Sequence, residues 1–250
     1  MSVLDESYRV AWGDLVFIKE NLLEVVLSSA IGPLLYLLAF GYGIGGSIGG
    51  GQDYIRFIIP GIIALTTLSA CFSNISMKIL VQRMFYMSFD EILLCPIHIS
   101  ALVLGKTYAG IIRALITCTI ILVVGKLIAP DLEISPLIYV LILAGSLTFS
   151  LLGLLAGMLS SKTNTLNLFS SIVIIPMTFL CGTLFDTDAL PSWAATVIDL
   201  LPLTQVSELM RGVMIGPMDG SLILPAIILA AYMVGLFSVC YWLIRTNRCD

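Results

Sequence analysis

The sequence predicts an all-α, polytopic membrane protein with six transmembrane helices. Of its 250 residues, 59% are hydrophobic and only 11% are charged, whereas a soluble domain has roughly 45–50% apolar and about 25% charged residues. Apolar runs of about 18 residues or more recur from one end of the chain to the other, and each can cross the hydrocarbon core as one helix. The lipid bilayer is therefore the solvent of most of this chain.

The six predicted spans each have close to the ~20 residues that a helix needs to cross a bilayer. They cover residues 22–44, 55–76, 104–127, 136–159, 166–185 and 221–244. We treat residues 1–250 as a single transmembrane domain. The N-terminus has no basic region followed by a short apolar core and a cleavage site, so we expect the first span to remain in the mature protein.

Residues 1–21 predict an amphipathic helix on the membrane surface, ahead of the first span. Its apolar residues recur every three or four positions, as on one face of a helix; they are Leu4, Tyr8, Ala11, Trp12, Leu15 and Ile18. We take Trp12 and Leu15 as the candidate interfacial residues of this helix. The alternative is an amphipathic lead-in that faces water and has no function.

The distribution of basic residues predicts that both termini are cytoplasmic. Lysine and arginine near span ends set the orientation of a membrane protein, and the cytoplasmic side carries the excess. With the N-terminus inside, eight basic residues fall on the inner side and three on the outer side. We therefore expect an integral, multi-pass protein of the plasma (cytoplasmic) membrane, in contact with membrane lipids.

Several motifs are present but do not fit their usual chemistry. The glycines of GYGIGG, residues 41–46, match a dinucleotide-binding pattern, but they close a membrane span instead of following a strand. The sequence Gly105-Lys106-Thr107 ends like a phosphate-binding loop, but Ser100 stands in place of the first glycine. We expect this chain to bind no ATP by that route.

Catalytic and metal-binding constellations are also missing from the sequence. The single histidine, His98, lies next to Pro96 outside the spans, where an interfacial side chain is a simpler interpretation than a ligand. The six cysteines have no metal-binding spacing, and we interpret them as reduced thiols. We expect no catalytic residue, no cofactor, no metal and no nucleic acid partner for this chain, which is therefore not predicted to be an enzyme.

The loop at residues 77–103 contains a predicted short helix. The sequence Ser88-Phe89-Asp90-Glu91 fits a capping box, in which Ser88 caps the helix and Glu91 returns the hydrogen bond. Leu93 and Leu94 follow, and Pro96 limits the helix. Such a helix is either a docking element for a partner or an ordinary interfacial helix.

At this loop the sequence resembles a known family. FDEILLCPI at residues 89–97, followed by VLGK at residues 103–106, resembles the inner loop of type-2 permeases of ATP-binding cassette (ABC) exporters. Cys95 replaces the serine that is common there. The order of motifs near the end of the chain is similar to the same family: FLCGTLF at 179–185, LPSW at 190–193, LPLT at 201–204 and RG at 211–212. Asp186 replaces a proline that often follows the phenylalanine.

The resemblance implies a permease that pairs with a second permease subunit, as a homodimer, and with separate cytoplasmic P-loop ATPase subunits that bind ATP and magnesium. On that reading residues 77–103 form the cytoplasmic coupling loop. Leu93 and Leu94 would pack into a cleft of the ATPase, and the N-terminal helix around Trp12 would brace the loop. Residues 186–220 would form short re-entrant helices in the outer leaflet, broken at Pro191, Pro202 and Gly212.

Two features within the spans allow two interpretations each. Gly153, Gly157 and Ser161 form a small-xxx-small pattern, which we assign to close packing inside one subunit, with a dimer seam as the alternative. Arg113 follows Lys106 by seven residues, hence lies about 10 Å deeper if helical. We expect Arg113 to extend to the inner headgroups, with a place in the translocation path as the alternative.

The function predicted from these observations is an exporter permease that moves a drug, a lipid or a lipid-linked glycan outward. The rival class is a secondary transporter or channel driven by an ion gradient, which predicts an acid or histidine deep in a span. Apart from Arg113, and Glu24 near one edge, the spans hold no such residue. A structural membrane scaffold is a third possibility that the residues leave open.

Overall fold

The chain is almost entirely helical wherever its structure is described. The computed structural model describes residues 2–40, 51–130, 135–180, 198–216 and 222–247. Within these ranges only short turns and connections interrupt the helices, which confirms the all-α prediction. The Gly-rich segment before residue 51 and the motifs at 181–197, including Pro191, lie outside the described residues.

The first two helices meet at a sharp bend. Helix α1 covers Val3–Glu20 and helix α2 covers Leu22–Leu38, and their axes differ by 82°. The hydroxyl of Ser2 accepts the amide hydrogen of Asp5 and so caps α1. Because the bend turns α1 away from the direction of α2, the pair is compatible with one helix lying on a membrane and the next entering it.

Within the described ranges, four further helices are long and apolar enough to cross a membrane. They are α3 (Gly51–Met84), α5 (Ile99–Ile128), α6 (Pro136–Leu159) and α10 (Ile223–Asn247). The number of candidate spans rises to five if α1 and α2 count together as one. Several membrane-spanning helices are therefore confirmed, and the count of six stays a prediction.

Two helices extend beyond the predicted spans. Helix α3 continues to Met84 and α5 begins at Ile99, so the connection predicted at 77–103 is shorter than expected. The reason is that Lys78, Gln82 and Arg83 are compatible with a helix even where it leaves the apolar part of the bilayer. Between α3 and α5 lies the short helix α4 (Ser88–Leu94).

The region of the predicted fifth span is irregular. Helix α7 (Thr163–Phe169) leads into a π-helical turn (Ser170–Ile174) and then into α8 (Ile175–Leu180). Pro176 lacks the amide hydrogen that would bond one turn back, and a widened turn just before a proline is the usual accommodation. Residues from 181 onwards, which would complete the span, lie outside the described residues.

Helix α9 (Pro202–Met214) is buried among the long helices. It packs against α3, α6 and α10, and ten of its residues are buried. Pro202 occupies the first turn, where a proline is tolerated. The prediction that Gly212 breaks the helix is wrong: Gly212 lies inside α9, where a Cβ would meet the end of the Leu222 side chain. The glycine leaves room for that side chain and does not bend the helix.

The apolar core has two parts. The larger cluster joins α3, α5, α6 and α9, with Phe72, Phe149 and Met210 fully or nearly fully buried. The smaller cluster lies where α3 ends and α5 begins, and it includes Phe89 and Leu93 of α4. The short helix is thus part of the folded core and not a free loop.

Candidate functional site

One face of helix α4 is buried in the protein and the other face is exposed. Phe89 is 1% exposed and Leu93 is 7% exposed, whereas Leu94 is 87% exposed. Asp90 and Glu91 are also exposed. The resemblance places Leu93 in a cleft of the ATPase, whereas the structure buries Leu93 in the smaller core cluster of this chain, together with residues of α3, α5, α6 and α10. Leu94 alone of the two leucines is available to a partner.

The start of α4 differs from the predicted capping box. Ser88 is the first residue of the helix, and the preceding Met87 has the left-handed backbone conformation φ 54°, ψ 8°. The carbonyl of Met87 accepts the amide hydrogens of Asp90 and Glu91, so no side-chain cap is made by Ser88. The ending agrees with the sequence: Cys95 is extended, as expected for a residue before Pro96.

Helix α1 presents its largest apolar side chains away from the protein. Trp12 is 54% exposed and Tyr8 is 52% exposed, with their ring centroids 5.5 Å apart. Leu15 is half-buried. The predicted apolar face is split, since Ala11 and Ile18 are buried against the rest of the chain. The exposed aromatic side chains are of the type that prefers the membrane–water interface.

The opposite face of α1 lies directly on α5. A Cβ at Gly105 would come within 2.7 Å of Val10 Cβ and within 2.8 Å of the Ser7 carbonyl oxygen. Only a glycine lets the two helices approach this closely. Gly105 therefore fixes the position of α1 beside the first turns of α5.

A carboxylate of α1 binds the N-terminal end of α5. Glu6 Oε2 accepts the backbone amide hydrogen of His98 at 2.9 Å and lies 2.9 Å from His98 Nδ1. His98 is the N-cap residue just before α5, so the negative charge also complements the positive end of the helix dipole. The backbone hydrogen bond first, and the ring contact second, lower the pKa of Glu6 below its ordinary value.

A second cluster of polar side chains lies between α1, α3 and α5. Asp14 Oδ1 is 2.6 Å from Lys78 Nζ, and Lys106 Nζ donates to Gln82 Oε1 at 2.8 Å. Lys106 is only 4% exposed. Two turns further along α5, Arg113 Nη1 donates to Asn74 Oδ1 of α3.

These side chains line two adjoining cavities. The larger one, which we call the cationic cavity, has a volume of about 600 Å³ and lies between α1, α3 and α5, with Asp14, Lys78 and Lys106 in its wall. The smaller one, which we call the hydroxyl cavity, has about 370 Å³ and lies between α2 and α3. Arg113 and Asn74 belong to both. Arg113 therefore lines both cavities, and whether it extends to the headgroups or takes a place in the translocation path stays a prediction.

The glycines of α6 lie against α3 of the same chain. A Cβ at Gly157 would come within 2.7 Å of the Ser76 carbonyl oxygen, and one at Gly153 within 3.0 Å of the Phe72 carbonyl oxygen. Ser161 lies beyond the end of α6 and is exposed. The close contacts of the first two glycines are thus made inside one subunit.

Sequence reasoning missed the polar partners of the cationic residues. Asn74, Lys78 and Gln82 stand four residues apart and so share one face of α3. Lys106 and Arg113 are seven apart and likewise share one face of α5. The spacing of polar residues within otherwise apolar segments was the signal that could have found this cavity.

Long apolar helices around a polar, partly cationic interior, with a short anchored helix between two of them, define a polytopic membrane protein. The comparisons with known proteins identify the family. The chain belongs to the ABC-2 type transporter family, whose model matches residues 12–215. It is a transport permease, and permeases of this family generally work with an ATP-binding subunit.

Curated relatives of similar length support the assignment. The inner membrane transport permease YadH of Escherichia coli K12 is 25% identical over 230 residues, which is 90% of this chain and 89% of that protein. Nodulation protein J of Rhizobium meliloti strain 1021 is 27% identical over 202 residues, which is 79% of this chain and 77% of that protein. The similarity thus extends over most of each molecule.

Proposed function

We propose that this chain is the permease subunit of an exporter driven by a separate cytoplasmic P-loop ATPase, which binds the ATP and magnesium. The observation that supports the proposal is that α4 has one buried face and one exposed face. A helix that is anchored through Phe89 and Leu93 moves as one body with α3 and α5. A force applied to its other face is therefore transmitted to two of the long helices.

The contact with the ATPase is formed by the exposed side of α4. Leu94 supplies an apolar anchor that is 87% exposed, and interface energy concentrates in such residues when a partner covers them. Asp90 and Glu91 surround it with negative charge, and Pro96 limits the helix just beyond it. Ser88, which lines the cationic cavity, is not part of this contact.

A second permease subunit completes the assembly, as a homodimer. Support comes from α2, where Ser28, Gly32 and Tyr36 are exposed and also line the hydroxyl cavity. Polar groups that face a cavity are tolerated in a bilayer when protein or water covers them. A second copy laid over α2 supplies that cover.

The orientation follows from the excess of basic residues on the two helices that flank α4 (Lys78, Arg83 and Lys106) and at the chain ends, which is typical of the cytoplasmic side. Both termini are cytoplasmic, and the cargo moves outward across the plasma membrane. Drugs, lipids and lipid-linked glycans are the candidate classes of cargo. The name of the relative in E. coli, an inner membrane transport permease, is consistent with this location.

The test is co-purification from the native cell after gentle solubilisation. A P-loop ATPase should be recovered with the wild-type chain in a fixed ratio and should be lost from Leu94→Asp. The matched control is Leu159→Asp, since Leu159 is also exposed, at 56%, but lies at the end of α6. It should keep the ATPase.

The contrast with Leu93 separates docking from folding. Leu93→Asp buries a charge in the core and should lower the yield of folded protein, whereas Leu94→Asp should fold normally. If no ATPase is recovered and the purified chain alone moves solute into liposomes under an ion gradient, the proposed function is wrong.

A further inference from the structure

The cationic cavity has two chemically different parts. Its apolar wall includes Ile75, Met77 and Ala109, and its polar wall includes Lys78 and Lys106. Arg113 lies at the deeper end, where the cavity adjoins the hydroxyl cavity. The volume of about 600 Å³ is in the range of small-molecule binding sites, which are about 300–1,000 Å³. The shape and chemistry suit an amphiphile instead of a simple ion.

The positive charge of this cavity is only partly compensated by the chain. Lys78 forms an ion pair with Asp14, but Lys106 and Arg113 donate only to the neutral amide oxygens of Gln82 and Asn74. Within the described part of the chain neither of these two cations forms an ion pair. Glu24, an exposed residue of α2, is close enough to Arg113 for electrostatic attraction but forms no ion pair with it. Counting Glu24 and Asp14 against the three cations, the surroundings remain positive by one charge.

A buried ammonium group that lacks an anion is costly in an apolar environment. Lys106 is 4% exposed, and its single hydrogen bond leaves donor capacity unused. Intramembrane cations are normally paired with an anion or serve a function. A phosphate oxygen would accept hydrogen bonds from both lysine and arginine, and guanidinium groups are especially suited to it.

We propose that the cationic cavity binds the phosphate headgroup of a membrane lipid, with the headgroup between Lys106 and Arg113 and the acyl chain along the apolar wall. The two cations lie on the same face of α5, about two turns apart, and both have long side chains that reach into the cavity. Asp14 opposes the binding, because its carboxylate competes for Lys78 and repels a phosphate. The proposal does not depend on the ATPase partner and can be tested on the purified chain.

The test measures lipid binding by native mass spectrometry of the full chain in detergent. The probes are phosphatidic acid, phosphatidylcholine with the same acyl chains, and inorganic phosphate as a competitor. One phosphatidic acid should bind per chain, about tenfold or more tightly than phosphatidylcholine. Both lipids carry a phosphate, but the choline cation cancels the net charge of phosphatidylcholine, whereas phosphatidic acid is anionic and offers one more charged oxygen, and a hydrogen bond between charged groups contributes about this much. Inorganic phosphate at equal concentration should not displace it, because it lacks the acyl chain.

Charge-removing variants should weaken binding only inside the cavity. Lys106→Gln and Arg113→Gln should each weaken binding of phosphatidic acid about tenfold or more. Their matched controls are Lys19→Gln and Arg245→Gln, which remove exposed charges outside the cavity wall and should bind as the wild type does.

Two more variants distinguish a specific loss of lipid binding from a loss of folded structure. Asp14→Asn should bind phosphatidic acid more tightly than the wild type, a gain that a general loss of structure does not produce. Ala109→Phe fills the apolar wall without changing any charge and should weaken lipid binding even if Lys106→Gln fails to fold. Equal binding of the two lipids, unchanged binding by the charge-removing variants, or displacement by equimolar inorganic phosphate would each overturn the proposal.

Discussion

The contact between α1 and α5 leads to a prediction for Gly105→Ala. The new Cβ would lie 2.7 Å from Val10 Cβ and 2.8 Å from the Ser7 carbonyl oxygen, whereas carbon atoms in contact are normally about 3.5–4.0 Å apart. Helix α1 must therefore retreat by about 1 Å, because one of the two obstacles is its backbone. Forcing an extra carbon into a packed site costs about 1–3 kcal/mol.

The change from glycine to alanine also stabilises a helix, by about 1 kcal/mol, and a control variant removes this contribution. Gly235→Ala lies in the long helix α10 and meets nothing within 4 Å. The difference between the two variants, about 1–3 kcal/mol, isolates the cost of the contact. Since 1 kcal/mol corresponds to roughly 2–4 °C for a chain of this size, Gly105→Ala should melt about 2–12 °C below Gly235→Ala.

The assay is thermal unfolding in detergent, together with hydrogen exchange of the α1 amides. Gly105→Ala should also speed exchange in α1 more than in α6, because the obstacle lies between α1 and α5 only. If the two alanine variants melt at the same temperature, α1 does not approach α5 as closely as described, and the reasoning that places α1 beside the cationic cavity fails.

Three further predictions test other contacts. Hydrogen bonds from His98 lower the pKa of Glu6. Their stabilising contribution is therefore present above the ordinary pKa of 4.5 and is lost as the pH falls through the lowered native pKa. Protection of the α1 amides from hydrogen exchange should fall in that pH range, and Glu6→Gln should remove this pH dependence. Gly157→Ala, whose Cβ would lie 2.7 Å from a backbone oxygen of α3, should melt several degrees below Gly235→Ala, and equal melting would contradict the close approach. Phe89→Ala should cost about 3–5 kcal/mol, as for other buried phenylalanines, measured as a lower melting temperature; an unchanged value would mean that α4 is not anchored.

The sequence predicts the positions of apolar helices well where polar residues or prolines mark both ends. Helix α6 covers Pro136–Leu159, as predicted, because Pro136 begins it and the polar residues from Ser160 onwards follow it. The span predicted within α3 ends near residue 76, whereas the helix itself continues to Met84. Hydropathy shows where a chain leaves lipid, but Lys78 and Gln82 do not stop a helix, so the two boundaries differ.

Contacts across the bundle are harder to predict than helices. Leu93 and Leu94 are identical in type, and only the packing against α3, α5, α6 and α10 decides that the first is buried and the second exposed. Phe89 and Leu93 are four residues apart, which already indicates a shared face. The left-handed backbone at Met87 could not be predicted, because an ordinary side chain rarely adopts it.

The adjacent residues Gly105 and Lys106 connect α1, the cationic cavity and the start of α5. Gly105 receives α1 in backbone contact, while Lys106 faces the cationic cavity and bonds to Gln82 of α3. Glu6 holds the start of α5 at His98, immediately after the segment that contains α4. The same turns of α5 carry the contact with α1 and one wall of the cavity. If the proposed docking on α4 shifts these turns, then ligand binding in the cavity and docking on α4 must influence each other, as linkage requires.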